Sequence, residues 1–129
     1  MNRHDADVGD ICLLTPKEMA QADEMAAKLG GCSYSLMQAA ATAVANVAEA
    51  MAPTGPIAVL AGTGNNGGDG VLAAHYLRAR GRSVRLFMLG KPKGGDAARA
   101  MSEWASQGES PEAFLPAEFT LIVDGLFGA

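Results

Sequence analysis

Aromatic residues are few in this chain: one tryptophan, two tyrosines and four phenylalanines, 5% of 129 residues. Histidine and cysteine are fewer still. His4, His75, Cys12 and Cys32 form no close pair, which excludes the usual zinc-ligand spacings. Unpaired thiols point to a reducing compartment, so a cytoplasmic location is expected. No apolar run is long enough for a bilayer-crossing helix. No leading segment has the basic start and long apolar core of a signal peptide. Positive charge is also short, with ten Lys and Arg against fourteen Asp and Glu and a net charge of −4. Neither nucleic acid nor a membrane is therefore an expected partner. The local cluster Arg78, Arg80, Arg82 and Arg85 reads as cations at a helix C-terminus that stay solvated. Lys91 and Lys93 read as solvated loop charges.

What the chain does have is alanine, glycine and short apolar runs. Nearly half the residues are apolar, enough for one domain with a real core. Residues 1–10 are polar and aperiodic and read as a flexible tail; 11–129 form the domain. Thr15-Pro16-Lys17-Glu18 is a capping-box helix start, and the helix is expected to stop at Gly30-Gly31. A second helix begins near Ser35, with Leu36, Ala40, Val44, Val47 and Met51 at helical spacing. Ile57–Ala61 reads as a buried parallel strand, followed by a glycine-rich loop and a helix over Val71–Arg80 that stops at Gly81. A strand over Ser83–Leu89, a helix from Asp96 to about Gln107 and a strand over Thr120–Asp124 complete the order. Alternation of this kind predicts a doubly wound α/β sheet with right-handed crossovers.

The stretch Gly62-Thr63-Gly64-Asn65-Asn66-Gly67-Gly68-Asp69-Gly70 carries most of the chemistry. Glycine at this density is kept for close backbone approach, as when loop N–H groups meet a phosphate. The asparagines and aspartate add oxygens for hydroxyls or a hard cation. Gly62-x-Gly64-x-x-Gly67 matches the dinucleotide fingerprint, but its second strand should end in a carboxylate for the ribose; here it ends Phe87-Met88-Leu89-Gly90-Lys91. A Walker loop fails as well, because Gly67 is followed by Gly68 and Asp69 rather than Lys and Ser or Thr. Asp124-Gly125-Leu126-Phe127-Gly128 stands at a second strand exit, so the two motifs are expected to share one crevice. Asp69 can also cap the next helix, and Asp124 can form an Asx turn. The residues around them favour site roles for both. His75 reads as a packing or surface residue.

The complete Gly62–Gly70 string resembles the loop of the N-terminal YjeF domain, the NAD(P)H-hydrate epimerase family. Asp124–Gly128 resembles that family's second motif. Leu14–Met19 with Ala22–Glu24, and Ser35–Ala40, resemble its first two helices, although the family usually has Glu-Asn-Ala after the Leu-Met of the second. The resemblance implies a three-layer αβα Rossmann-like sandwich with a mostly parallel central sheet, present here in part. It implies interconversion of the R and S forms of hydrated NADH or NADPH. Asn65, Asn66, Gly67, Gly68, Asp69 and Gly128 would contact the nucleotide, and Asn66 and Asp124 would hold a potassium ion. It also implies pairing with an ADP- or ATP-dependent dehydratase and allows a homodimer. The family's downstream Asp-Ile-Pro-Ser-Gly-type stretch is not among these 129 residues, so a truncated domain is expected. The alternative expectation is a non-catalytic nucleotide-binding or scaffold module of the same fold. An ordinary nucleotide-dependent oxidoreductase is the weaker enzyme reading, because the ribose carboxylate is missing.

Overall fold

Alanine spacing shapes the first described helix. In the computed structural model, which describes residues 30–104 and 108–126, α1 runs Gly30–Met51. Tyr34, Met37, Ala41, Ala45 and Ala48 recur every three or four residues and are buried, forming one stripe. The helix expected before it and the N-terminal tail lie outside the described residues. Gly30-Gly31, expected to end that earlier helix, instead opens α1. Glycine's entropic penalty falls on a first turn whose N–H groups have no helical acceptor anyway, and the stripe that follows outweighs it.

Strand β1 (Ile57–Ala61) leads into α2 (Asn65–Ala79), β2 (Val84–Met88), α3 (Gly95–Glu103) and β3 (Leu121–Gly125). Two short 3-10 turns, Pro111–Ala113 and Pro116–Glu118, precede β3. Helix α2 ends where glycine was expected to end it. Gly81 has φ +89, its N–H donates to Arg78 O, and Arg82 N–H donates to Leu77 O at 3.0 Å. That pair of bonds is a Schellman stop. Both β2 and β3 pair with β1 in parallel, Ile57 opposite Val84 on one side and Leu121 on the other. Glu109 adds a one-residue parallel bridge to Phe87 on the outer side of β2. The spatial order is therefore Glu109, β2, β1, β3. The chain winds outward from β1 and then returns to β1's other side, which places a topological switch point between β1 and β3. This is the expected α/β, Rossmann-like architecture.

Ile57, Val59, Ala61 and Leu86 share one core with the α1 stripe and with Val71, Leu72 and Leu77 of α2. Each of the larger aliphatics contributes about 1.5–3 kcal/mol by burial. The alternate strand positions face the other way. There Phe87 meets Phe114 at 5.2 Å and Phe119 at 5.8 Å, centroid to centroid, from the connection that holds the two 3-10 turns. Arg85 lies over this cluster and donates to both carboxylate oxygens of Glu109, at 2.6 and 2.9 Å, and to Glu118 at 3.1 Å. The hydrogen bonds from Arg85 hold the Glu109 carboxyl below the usual glutamate range. Leu121 and Val123 of β3 are half-buried, and Ile122 and Asp124 are exposed. No described helix is long and apolar enough to cross a membrane.

Candidate functional site

The glycine-rich stretch is a loop only as far as Gly64. Helix α2 begins at Asn65, three residues into the segment expected to be irregular, and Gly64 caps it with φ −95 and ψ −162 and no side-chain hydrogen bond. Packing is the reason. A Cβ on buried Gly67 would lie 2.0 Å from the carbonyl oxygen of Gly62, so only glycine lets the first turn of α2 close onto the β1 exit. Gly68 fits between Met37 of α1 and Ala97 of α3 in the same way. The glycines thus admit the protein's own backbone at least as much as a ligand's phosphate. The turn they allow still sets a helix N-terminus over the carboxyl ends of the strands.

Strand β3 exits against that turn. Gly62 N–H donates to Gly125 O at 2.9 Å, and a Cβ on Gly62 would lie 2.2 Å from Leu126 O. The carbonyl oxygen of Asn66 is 3.2 Å from the Cβ position of Gly125. The Asn66 backbone therefore packs against Gly125, which brings the turn of one motif to the strand exit of the other. Asp124 makes the Asx turn also allowed to it: its Oδ1 accepts the N–H of Leu126 at 3.0 Å. The side chain is exposed, and Oδ2 has no partner among the described residues. Gly128 lies outside the described residues.

Asp69 does not share a helix face with Asn66. It follows Asn65 by four residues and so shares its helix face, whereas Asn66 is turned about 100° from Asn65. Both Asn65 and Asp69 line a cleft of about 280 Å³ together with Ser33, Leu36, Met37, Ala40 and Asp96. The capping role allowed to Asp69 is not realised, because it sits in the second turn of α2 rather than at its cap. Burial raises its pKa above the ordinary aspartate value. Asp96 and Ser33 are not legible as its neighbours in the sequence, since they come from helices whose relative placement no local pattern encodes.

A raised folded-state pKa means that the protonated form is the better tolerated one. The stability it provides is complete below the ordinary aspartate pKa of about 4 and is lost as pH rises through the folded value. Asp69→Asn is accordingly expected to raise Tm at pH 7 by roughly 1–3 °C, a small gain because solvent screens a half-buried carboxylate. At about pH 3 the difference disappears. Thermal melts at the two pH values check this; a lower Tm at pH 7 would mean that the ionised carboxylate has a compensating partner.

The basic cluster on and after α2 is committed to the protein itself. Arg80 pairs with Glu49 at 2.7 Å, Arg82 donates to Gly55 O at 3.0 Å, and Arg78 lies 3.7 Å above the Trp104 ring. His75 stands 3.9 Å from Glu103, away from both clefts. Among the described residues no three His, Cys, Asp or Glu side chains gather around a common point. Asn66 and Asp124 supply the oxygen type that a hard cation takes, but only part of the usual number.

Comparison with known proteins places these motifs in context. A profile of the family described as YjeF-related protein N-terminus matches residues 33–129. The chain is 43% identical over 97 residues to the NAD(P)H-hydrate epimerase of Bordetella pertussis strain Tohama I, covering 72% of this chain and 42% of that protein. It is 46% identical over 81 residues to the bifunctional NAD(P)H-hydrate repair enzyme Nnr of Pyrobaculum aerophilum, covering 62% of this chain and 16% of that enzyme. The crystal structure of yeast ynu0 superposes with a TM-score of 0.66 at 24% identity, over 91% of this chain and 57% of the yeast chain, a likeness of fold. The chain thus spans less than half the length of these curated relatives.

Proposed function

The chain belongs to the YjeF-related N-terminal family, and on that premise we propose that it interconverts the R and S epimers of hydrated NADH and NADPH. The observation that carries this reading is the approach of the Asn66 backbone to Gly125, the neighbour of Asp124, at the switch point between β1 and β3. A nucleotide pyrophosphate suits the N-terminal turn of α2, where helix N–H groups and the dipole favour anions. Asn65, Asn66 and Asp69 offer side-chain partners for the rest of the molecule, with backbone contacts from Gly67 and Gly68, and Gly128 completes the proposed set. Oxygens of Asn66 and Asp124 would hold potassium, which when bound supplies positive charge beside the nucleotide.

The reaction is an isomerisation with no net redox change. A proton delivered to the hydroxyl on the hydrated ring carbon lets the adjacent ring nitrogen's electron pair expel it as water. Water then returns to the opposite face of that carbon and gives up a proton. Such a step needs a group that holds a proton near neutrality. Asp69 is a carboxyl that burial shifts in that direction, above the ordinary aspartate value, and it lines the cleft beside Asn65. The product S form would pass to a dehydratase, and the bifunctional naming of the Pyrobaculum relative supports such a pairing. A cytoplasmic setting is part of the same proposal.

The test is direct. The R hydrate of NADH or NADPH, incubated with the chain in KCl or in choline chloride, is followed to its S epimer by chromatography. Acceleration over the spontaneous rate, stronger in KCl, is expected. A folded sample that binds the hydrate without accelerating its epimerisation would instead establish the non-catalytic module.

A further inference from the structure

Beyond β2 the sequence reads Leu89-Gly90-Lys91-Pro92-Lys93, in the place where a dinucleotide site ordinarily carries a carboxylate for the ribose. The structure ties this segment to the glycine turn. Leu89 N–H donates to Ala61 O at 2.9 Å, and Lys93 N–H donates to Thr63 O at 2.6 Å. Gly90 packs against the Thr63 methyl, which is 3.1 Å from its Cβ position. Pro92 fixes φ between the two lysines and so limits the paths open to the loop.

The rest of the basic inventory narrows the choice. Each described arginine is already occupied: Arg78 on Trp104, Arg80 on Glu49, Arg82 on Gly55, Arg85 on Glu109 and Glu118, and Arg99 4.0 Å above the Tyr34 ring. Lys91 and Lys93 are exposed and have no ion-pair partner among the described residues. In a chain of net charge −4, the cations left uncommitted among the described residues stand beside the turn that the nucleotide reading assigns to the pyrophosphate.

We infer that Lys91 and Lys93 recognise a phosphate on the adenosine ribose, so that the site selects 2′-phosphorylated nucleotides over their unphosphorylated counterparts. The inference rests on the nucleotide-binding reading above and specifies its substrate. A carboxylate at this strand exit would accept a ribose hydroxyl and repel a phosphate. Two ammonium groups reverse that preference, because a phosphomonoester carries close to two negative charges at neutral pH.

The stable probes are NADP⁺ and NAD⁺, titrated calorimetrically against the intact chain at low salt. NADP⁺ is expected to bind about tenfold more tightly than NAD⁺, the scale of two exposed charge-assisted contacts. Lys91→Ala with Lys93→Ala brings the two affinities within about twofold, chiefly by weakening NADP⁺, and 0.5 M NaCl erodes the wild-type preference similarly. Lys91→Glu with Lys93→Glu makes NAD⁺ the preferred ligand. Equal wild-type affinities, or a double alanine variant that keeps its full preference, would overturn the lysine assignment and leave nucleotide binding standing. Failure of both probes to bind would overturn the two together.

Discussion

Gly67→Ala abolishes stable folding or lowers stability by about 3 kcal/mol or more, at the upper end of what overpacking costs. Alanine is the better helix former by about 1 kcal/mol, so an open helical position would gain from the change. Here the added methyl would come 2.0 Å from the carbonyl oxygen of Gly62, a backbone atom that cannot rotate away. Relief would require α2 to lift off the β1 exit, and Gly62 is itself held by Gly125 O at 2.9 Å. Gly64→Ala is the matched control, since nothing lies within 4 Å of its Cβ position. Urea melts of the two variants check the contrast. A Gly67→Ala chain as stable as wild type would show that the turn can relax and that glycine is kept there for the ligand alone.

Replacing Asp124 has the largest expected effect on activity. Asp124→Asn retains an amide oxygen for the N–H of Leu126 and so preserves the Asx turn, while removing the charge. It is expected to leave Tm nearly unchanged, to lower kcat/KM for epimerisation about 100-fold and to remove the response to potassium, in line with the loss of one placed electrostatic group. Asp124→Ala loses the turn acceptor as well and should add a fall in Tm. Rates in KCl and choline chloride, paired with melts, separate the contributions. An Asp124→Asn variant with wild-type rate and wild-type potassium response would remove Asp124 from the site.

Much of the scaffold was legible because its cues are local. Ile57–Ala61 is apolar on both faces, Gly81 sits where a helix must stop, and the β-α-β order leaves few topologies. The glycine string was misread in form because glycine's poor helix propensity was weighed without the contact that overrides it, the approach of Gly67 to Gly62. Glu109's bridge to Phe87 was invisible, since a one-residue ladder leaves no alternation to detect. For the site, the approach of the glycine turn to the β3 exit followed from placing both motifs at strand exits. The turning of Asp69 toward Ser33 and Asp96 did not, because it depends on where the α2 helix begins.

The parallel pairing of β1 with β3 also bears on the order of assembly. Ile57 meets Val84 after one short crossover, but it meets Leu121 only after the chain has formed α2, β2, α3 and the phenylalanine-bearing connection. Each doubling of a closed loop adds about 0.6 kcal/mol of entropic cost, so β3 docking is the costlier closure and a slow contributor to folding. The Asn66 backbone reaches Gly125 only through that closure. A chain with only β1, α2 and β2 assembled can therefore hold the glycines of α2 in place and still lack the contacts of Gly62 and Asn66 with the β3 exit.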